Sequence, residues 1–182
     1  LRHICVFSIQ KLMKSKKNLV FLGMMGSGKS SIGQIVSSKL NINFTDIDNE
    51  IEKELGINIK DIFKLKGEKY FRDIEEKITL KKLKIENQVV SIGGGAFLNK
   101  KIKETILKNH ISFWLNWNPK TLINRIISSK KRPLAFHSNK NELMELIKKR
   151  SIIYSKALYK IECENCTKNE IVKKILKTYE TH

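Results

Sequence analysis

The chain has 182 residues, 41% of them hydrophobic, which suffices for one well-buried α/β core but is short for two. No run approaches the roughly eighteen apolar residues of a membrane span, so we expect a cytoplasmic protein with no membrane partner. The net charge of +18 suggests nucleic-acid binding. However, the lysines are spread along the chain without interleaved aromatic residues, so we predict no specific nucleic acid and only a general attraction for anionic substrates.

The first 17 residues are expected to be an N-terminal extension ahead of a single domain at 18–182. The chain begins with Leu1, and Met13 lies just before a run of lysines, so residues 1–12 could be an upstream extension or the result of a misplaced start. We predict that this extension is disordered and assign it no function.

The first predicted strand, 19–22, leads directly into a phosphate-binding loop. Residues 23–30, GMMGSGKS, fit the pattern G-x-x-x-x-G-K-[ST], and a predicted helix at 29–40 follows. Glycines let such a loop curl until its backbone N–H groups face a polyphosphate. Lys29 would then reach the β- and γ-phosphates, and the Ser30 hydroxyl would bind the accompanying magnesium ion. A chance glycine-rich turn is disfavoured because the strand and the helix both flank the motif.

The second predicted strand, 42–45, ends at Asp46, with Asp48 two residues further on. Alternate residues of a strand share a side, so both carboxylates should project from the strand end. One can serve the magnesium ion and the other can meet an acceptor hydroxyl. Either can also cap the helix that begins near Asn49, and capping is compatible with catalysis.

A long helical region is predicted from 49 to 85, with interruptions near Gly56 and Gly67. It carries Arg72, and Glu75 lies three residues later, where it can orient the guanidinium group. The planar fork of arginine suits a carboxylate-bearing substrate. Arg150, in a later predicted helix, is a second candidate.

The third predicted strand, 89–92, stops at Gly93, Gly94 and Gly95. Three consecutive glycines cost conformational entropy, so we infer that something must lie close to this backbone. Their N–H groups would be open to a ligand.

The remaining elements continue the alternation of strands and helices. Strands are predicted at 111–115 and 159–163, and helices at 100–108, 119–128, 141–157 and 170–178. Residues 130–141 are polar, contain Pro133 and are predicted to form a loop. This order predicts an α/β fold with a central, mostly parallel sheet covered on both faces. The phosphate-binding loop, Asp46 and the glycines then fall at the carboxyl ends of strands, where ligands bind.

The cysteines do not indicate a disulfide framework or a zinc site. There are three, Cys5, Cys163 and Cys166, and an odd number fits a reducing compartment. Cys163 and Cys166 form a C-x-x-C pair, but zinc would need two further ligands and the sequence has no second pair at useful spacing. We interpret them as incidental thiols.

Six motifs in order make the chain similar to the shikimate kinases over residues 18–179. They are GMMGSGKS, FTDIDNEIE, GEKYFRDIEE, SIGGGA, KRPLA and KKRSIIY. The resemblance implies a three-layer P-loop NTPase fold with a five-stranded sheet, a helical substrate-binding region at about 46–75 and a mobile lid at about 129–140. It also implies a monomer.

The resemblance further implies transfer of the γ-phosphoryl group of ATP to the 3-hydroxyl of shikimate, with one Mg²⁺ per subunit. Implied catalytic residues are Lys29, Asp48 and Arg132, the last moving with the lid. Implied substrate-binding residues are Asp48, Arg72, Gly93, Gly94, Gly95 and Arg150, with Glu75 anchoring Arg72. Implied ATP-binding residues are Gly26, Ser27, Gly28, Lys29, Ser30, Ser31, Arg125 and Arg132, where Arg125 packs against adenine. Ser30 and, through water, Asp46 would hold the metal.

Two alternatives remain open at this point. One is another small P-loop kinase, for gluconate or a nucleoside monophosphate, although a nucleotide acceptor would want a pocket for its base. The other is a basic, non-catalytic ATP- or RNA-binding protein. The presence of Lys29, Asp48 and Arg132 disfavours this alternative, because it argues against a loss of catalysis. The preferred nucleotide base is left open, because Cys166, Thr167 and Lys168 stand where some relatives have arginine and proline.

Overall fold

The structure is a computed structural model that describes residues 17–128 and 139–182. Within these ranges five strands alternate with seven α-helices, as the sequence predicts. The strands are β1 (Leu19–Leu22), β2 (Asn43–Asp46), β3 (Gln88–Ser91), β4 (Ile111–Asn116) and β5 (Tyr159–Glu162). The helices are α1 (Lys29–Leu40), α2 (Ile47–Leu55), α3 (Ile59–Leu83), α4 (Lys100–Asn109), α5 (Pro119–Ser128), α6 (Lys140–Tyr154) and α7 (Lys168–Glu180).

The five strands form one sheet in the order β2-β3-β1-β4-β5, and every neighbouring pair is parallel. Strands β1 and β3 are buried at every position, because helices cover both faces of the sheet. Phe21 of β1 and Phe113 of β4 pack edge to face at the centre of the core, with ring centroids 5.7 Å apart. The predicted three-layer α/β fold is confirmed.

The start of α2 differs from the prediction and moves Asp48 off the strand. The Asp46 carboxylate accepts hydrogen bonds from the backbone N–H groups of Asp48 and Asn49, so the helix begins at Ile47. Such a cap satisfies N–H groups that the first helical turn leaves free. The prediction that Asp46 and Asp48 both project from the strand end is therefore wrong for Asp48, which lies in the first turn of α2.

The two predicted helix interruptions are confirmed. Gly56 ends α2 with φ +68°, and Gly67 kinks α3 with φ +79° and ψ 173°. Helix α6 begins at Lys140, slightly before the predicted end of the loop, because Asn139 and Glu142 form a capping box. The short 3-10 turn Ala96–Leu98 was not expected from the sequence.

Some predictions fall on parts of the chain that the structure leaves undescribed. Residues 1–16 of the N-terminal extension lie outside the described residues, and so does 129–138, which contains most of the predicted lid and Arg132. In the ranges that are described, no helix is both long and apolar enough to cross a membrane.

Candidate active site

The candidate active site lies at the carboxyl ends of three adjacent strands. Since β2, β3 and β1 are neighbours in the sheet, the segments that follow them meet there. A Cβ built on Gly94, after β3, would be 3.4 Å from the backbone nitrogen of Met25 and 3.6 Å from the carbonyl oxygen of Gly23, both in the loop after β1. The triple glycine and the phosphate-binding loop are thus in direct contact.

The phosphate-binding loop adopts a backbone that needs glycine. Gly23, Gly26 and Gly28 have φ values of 144°, 80° and 88°, in the region that side chains disfavour. Gly28 is the N-cap of α1, so the helix begins at Lys29 and its free N–H groups face the loop. The Lys29 ammonium donates to the carbonyl oxygens of Gly23 and Met24 at 2.9 and 3.1 Å, which places its charge across the loop.

Trp117 and Arg125 support the other side of the loop. The indole Nε1 of Trp117 donates to the carbonyl oxygen of Ser27 at 2.9 Å, and the Arg125 guanidinium carbon lies 3.6 Å from the centre of an indole ring face. A Cβ on Gly26 would be 3.6 Å from the Cβ of Arg125. Arg125 therefore lies beside the loop. Sequence reasoning missed Trp117, because no local pattern links it to a loop 90 residues away.

Ser30 and Asp46 form a pair of oxygen donors suited to magnesium. The Ser30 hydroxyl donates to Asp46 Oδ2 at 2.5 Å, while Oδ1 of the same carboxylate caps α2. The cap thus fixes the carboxylate with its second oxygen turned to Ser30. A serine hydroxyl after the lysine and a nearby carboxylate are the hard oxygen ligands that Mg²⁺ takes beside phosphates. The two open interpretations of Asp46, cap and metal support, are therefore compatible in the structure.

Arg72 on α3 is held by two carboxylates. Its Nη1 donates to Glu75 Oε2 at 2.7 Å, and its Nε and Nη2 both donate to Glu68 Oε1 at 3.2 and 3.0 Å. Burial disfavours the charged guanidinium, but Glu75 and Glu68 more than offset this and raise the pKa of Arg72. The predicted pairing with Glu75 is confirmed. Glu68 was missed, although its position four residues before Arg72 is a recognisable helical pairing.

Glu75 is a buried carboxylate at the centre of the site. The residue is 2% exposed, and its Oε1 has no hydrogen-bond partner within 17–128 and 139–182. Burial raises the pKa of Glu75, and Arg72 opposes only part of that rise. A Cβ on Gly93 would be 2.5 Å from this oxygen and 2.9 Å from Asp48 Oδ1. Gly93 thus lets two carboxylates approach the same backbone.

Space, and not backbone conformation, explains Gly93 and Gly95. None of the three glycines has a positive φ, but charged side chains occupy the positions where the Cβ atoms of Gly93 and Gly95 would be. A Cβ on Gly95 would be 2.5 Å from Arg72 Nη1, and one on Gly94 would be 3.5 Å from Arg150 Nη1. The inference that something must lie close is confirmed for the chain's own charges.

Arg150 and Tyr154, one turn apart on α6, face Gly94. Arg150 contacts Met24 Sδ at 3.7 Å through Nη1, and its buried Nε has no partner among the residues the structure describes. The Tyr154 hydroxyl donates to the carbonyl oxygen of Gly94. Burial raises the pKa of Tyr154 to about 12, although Arg150 opposes this. Tyr154 was missed, and its spacing of four residues from Arg150 was the available signal.

The fold and the site define a P-loop phosphotransferase, in which two arginines lie beside the phosphate-binding loop. A family model for shikimate kinase matches residues 25–180. The chain belongs to the shikimate kinase family and is a kinase that uses ATP as its co-substrate.

Individual relatives agree with this assignment. The chain is 41% identical to the shikimate kinase of Persephonella marina over 88% of this chain and 97% of that protein. It is 38% identical to that of Thermodesulfovibrio yellowstonii, over 90% and 95%. A solved shikimate kinase from Acinetobacter baumannii, in complex with shikimate, superposes with a TM-score of 0.89 at 28% identity, covering 95% of this chain and 97% of that one. A deoxyadenosine kinase from M. mycoides, at 16% identity and a TM-score of 0.61, shares the fold.

Proposed function

We propose that this chain phosphorylates the 3-hydroxyl of shikimate with ATP, giving shikimate 3-phosphate and ADP in a step of chorismate and aromatic amino-acid biosynthesis. One observation carries the acceptor assignment. Arg72 and Arg150 converge on the adjacent glycines Gly95 and Gly94, whose Cβ positions lie 2.5 and 3.5 Å from the two Nη1 atoms. Two guanidinium groups beside a phosphate-binding loop suit a small acceptor that carries a carboxylate.

The acceptor end of the site would bind and orient shikimate. Arg72 and Arg150 would hold its carboxylate, and the backbone at Gly93, Gly94 and Gly95 would contact the ring substituents. Asp48, whose Oδ1 lies 2.9 Å from the Cβ position of Gly93, would orient the 3-hydroxyl. The hydroxyl oxygen forms a bond to the γ-phosphorus, the bond from that phosphorus to the ADP oxygen breaks, and Asp48 takes the proton late in the transfer.

The nucleotide end would bind ATP through the loop after β1. Backbone N–H groups of Gly26, Ser27, Gly28 and Ser31 would surround the phosphates, and Lys29 would turn from the loop carbonyls to the phosphate oxygens. Ser30 would ligate Mg²⁺, with Asp46 acting through water. The bound ion would neutralise part of the phosphate charge.

Arg125 and Arg132 would complete the ATP site. Arg125 would pack against the adenine base, and its position against Trp117 beside the phosphate-binding loop supports this role. Arg132 would enter with a lid at 129–140 to stabilise charge on the transferring group and to exclude water. We further propose a cytoplasmic monomer in which 46–75 is the substrate-binding region.

A panel of acceptors tests the proposal. ADP release is measured with shikimate, quinate, gluconate and nucleoside monophosphates, and shikimate is expected to give much the highest kcat/KM. Asp48→Asn keeps the volume and removes the negative charge, so turnover should fall by orders of magnitude while ATP binding is preserved. Faster turnover with gluconate or a nucleotide, or an unchanged kcat in Asp48→Asn, would contradict it.

A further inference from the structure

Glu68 binds the same guanidinium group that the proposed function assigns to the substrate carboxylate. One carboxylate oxygen of Glu68 accepts from both Nε and Nη2 of Arg72, at 3.2 and 3.0 Å. That pair of donors is one of the two bidentate faces an arginine can offer to a carboxylate. The other face includes Nη1, which donates to Glu75 at 2.7 Å and lies 2.5 Å from the Cβ position of Gly95. Both faces of Arg72 are therefore engaged by the chain itself.

We propose that Glu68 is an internal competitor for the substrate: its carboxylate occupies Arg72 and gives way when the carboxylate of the acceptor binds. The inference rests on the proposed function, because it needs an acceptor that carries a carboxylate. It assigns to Glu68 a role in setting substrate affinity, without direct participation in phosphoryl transfer.

The exposure of the two carboxylates decides which one yields. The Glu68 side chain is 65% exposed, whereas that of Glu75 is 3% exposed. An exposed ion pair contributes little, since water solvates both partners when they separate. Water cannot solvate a buried carboxylate in this way, so Glu75 keeps its contact with Arg72. Glu68 also directly follows Gly67, where α3 is kinked.

The charge balance favours the same exchange. Glu68 and Glu75 both bind Arg72, and Asp48 lies with Glu75 at the Cβ position of Gly93, so three carboxyl groups share this part of the site with Arg72 and Arg150. A substrate carboxylate adds a fourth, and like charges at short range raise each other's energy. The release of Glu68 into water restores the original number of three carboxyl groups beside two guanidinium groups. Asp48 has a separate task at the acceptor hydroxyl, which leaves Glu68 as the group to be displaced.

Glu68→Gln tests the inference through the affinity for shikimate. The amide keeps the shape of the side chain but binds a guanidinium more weakly than a carboxylate does. The KM for shikimate should fall about two- to fivefold, while kcat and the KM for ATP stay within about twofold. Calorimetric titration of shikimate without ATP should show the same tightening. A KM that is unchanged or raised would overturn the inference, since a raised KM means that Glu68 positions Arg72 for the substrate.

Two controls separate this effect from others. Glu145→Gln removes an exposed carboxylate of α6 that pairs with Lys148 at 3.0 Å, and it should leave the KM for shikimate unchanged. In an Arg72→Ala background, Glu68→Gln should no longer tighten shikimate binding, and a persisting gain would contradict competition at Arg72. Wild-type protein without shikimate turnover would contradict the proposed function itself. Wild-type turnover without tightening in the variant contradicts this inference alone.

Discussion

The guanidinium group of Arg72 lies where a side chain on Gly95 would begin. A Cβ built on Gly95 would be 2.5 Å from Nη1, 2.8 Å from Cζ and 2.9 Å from Nη2 of Arg72. These distances are shorter than ordinary carbon–nitrogen contacts, so even a methyl group must displace the arginine. Gly95 thus determines where the positive charge of Arg72 is held.

Gly95→Ala is expected to weaken acceptor binding selectively. The added methyl moves Arg72 away from the acceptor end, so the KM for shikimate should rise about tenfold or more, in line with the loss of a positioned charged contact. The KM for ATP should stay within about twofold, because the phosphate-binding loop is untouched. Steady-state kinetics with each substrate varied in turn measures both.

Gly56→Ala is the matched control for this substitution. Gly56 has φ +68°, and beyond its chain neighbours no atom of residues 17–128 and 139–182 lies within 4 Å of its Cβ position, so the change strains the backbone without touching the site. It should lower stability by about 1–2 kcal/mol and leave both KM values unchanged. Equal KM changes in the two variants would show that general destabilisation, and not the displacement of Arg72, is responsible.

Asp46→Asn should raise the magnesium requirement without loss of the fold. Asparagine caps helices as well as aspartate does, so the melting temperature should change little. The loss of the carboxylate charge beside Ser30 weakens attraction for the cation, and the Mg²⁺ concentration for half-maximal rate should rise several-fold. Initial rates over a Mg²⁺ titration provide the measurement. Asp61→Asn, on α3 where Asp61 contacts Asn58, should not alter that titration.

Tyr154→Phe should destabilise the protein in a way that depends on pH. The Gly94 carbonyl oxygen loses its donor, at a cost of about 1–3 kcal/mol near pH 8. Because the pKa of Tyr154 is raised from 10.0 to about 12, the wild type loses stability as the pH rises through that window, whereas the phenylalanine variant lacks this loss. The difference between the two should therefore shrink toward pH 12.

Urea unfolding of wild type and variant at pH 8 and pH 11 measures this difference. Lysines titrate in both proteins and cancel in the comparison. If the difference in unfolding free energy is the same at pH 8 and pH 11, the Tyr154 hydroxyl is not buried and bound to the Gly94 carbonyl oxygen as in the structure.

Glu75→Gln should gain stability relative to the wild type as the pH rises. Burial raises the pKa of Glu75 above its ordinary value of 4.5, so its protonated form favours the folded state below that pH, and this contribution is lost as the pH rises through the folded pKa. Glutamine does not titrate. The melting temperature of the variant relative to that of the wild type should therefore rise from pH 4 to pH 7. The altered contact with Arg72 adds an offset that does not change with pH.

The adjacent Glu76 provides a control of opposite sign. Hydrogen bonds from Lys101 and Asn99 lower the pKa of Glu76, so its contribution to stability is present above pH 4.5 and lost as the pH falls. The stability of Glu76→Gln relative to the wild type should therefore fall over the same rise in pH. A shift in the same direction for both variants would contradict the assignment of Glu75 as a carboxylate whose charge is penalised by burial.

Local rules of sequence accounted for most of the fold and part of the site. The phosphate-binding loop, the alternation of strands and helices, and the pairing of Arg72 with Glu75 all depend on groups within a few residues of each other. The same rules could have indicated Glu68 and Tyr154, each four residues from an arginine. The shift of Asp48 from strand end to helix was missed because capping by Asp46 competed with extension of the strand.

Local patterns in the amino-acid sequence are enough to identify the phosphate-binding loop, the class of the fold and the residues that carry charge. Which of these residues come into contact depends on the packing of distant elements. Tyr154 reaches Gly94 across 60 residues and Trp117 reaches Ser27 across 90, because the strand order β2-β3-β1-β4-β5 brings their elements together. Periodicity and capping act over one or two helical turns, whereas strand order depends on how whole elements pack, which the alternation of strands and helices leaves open.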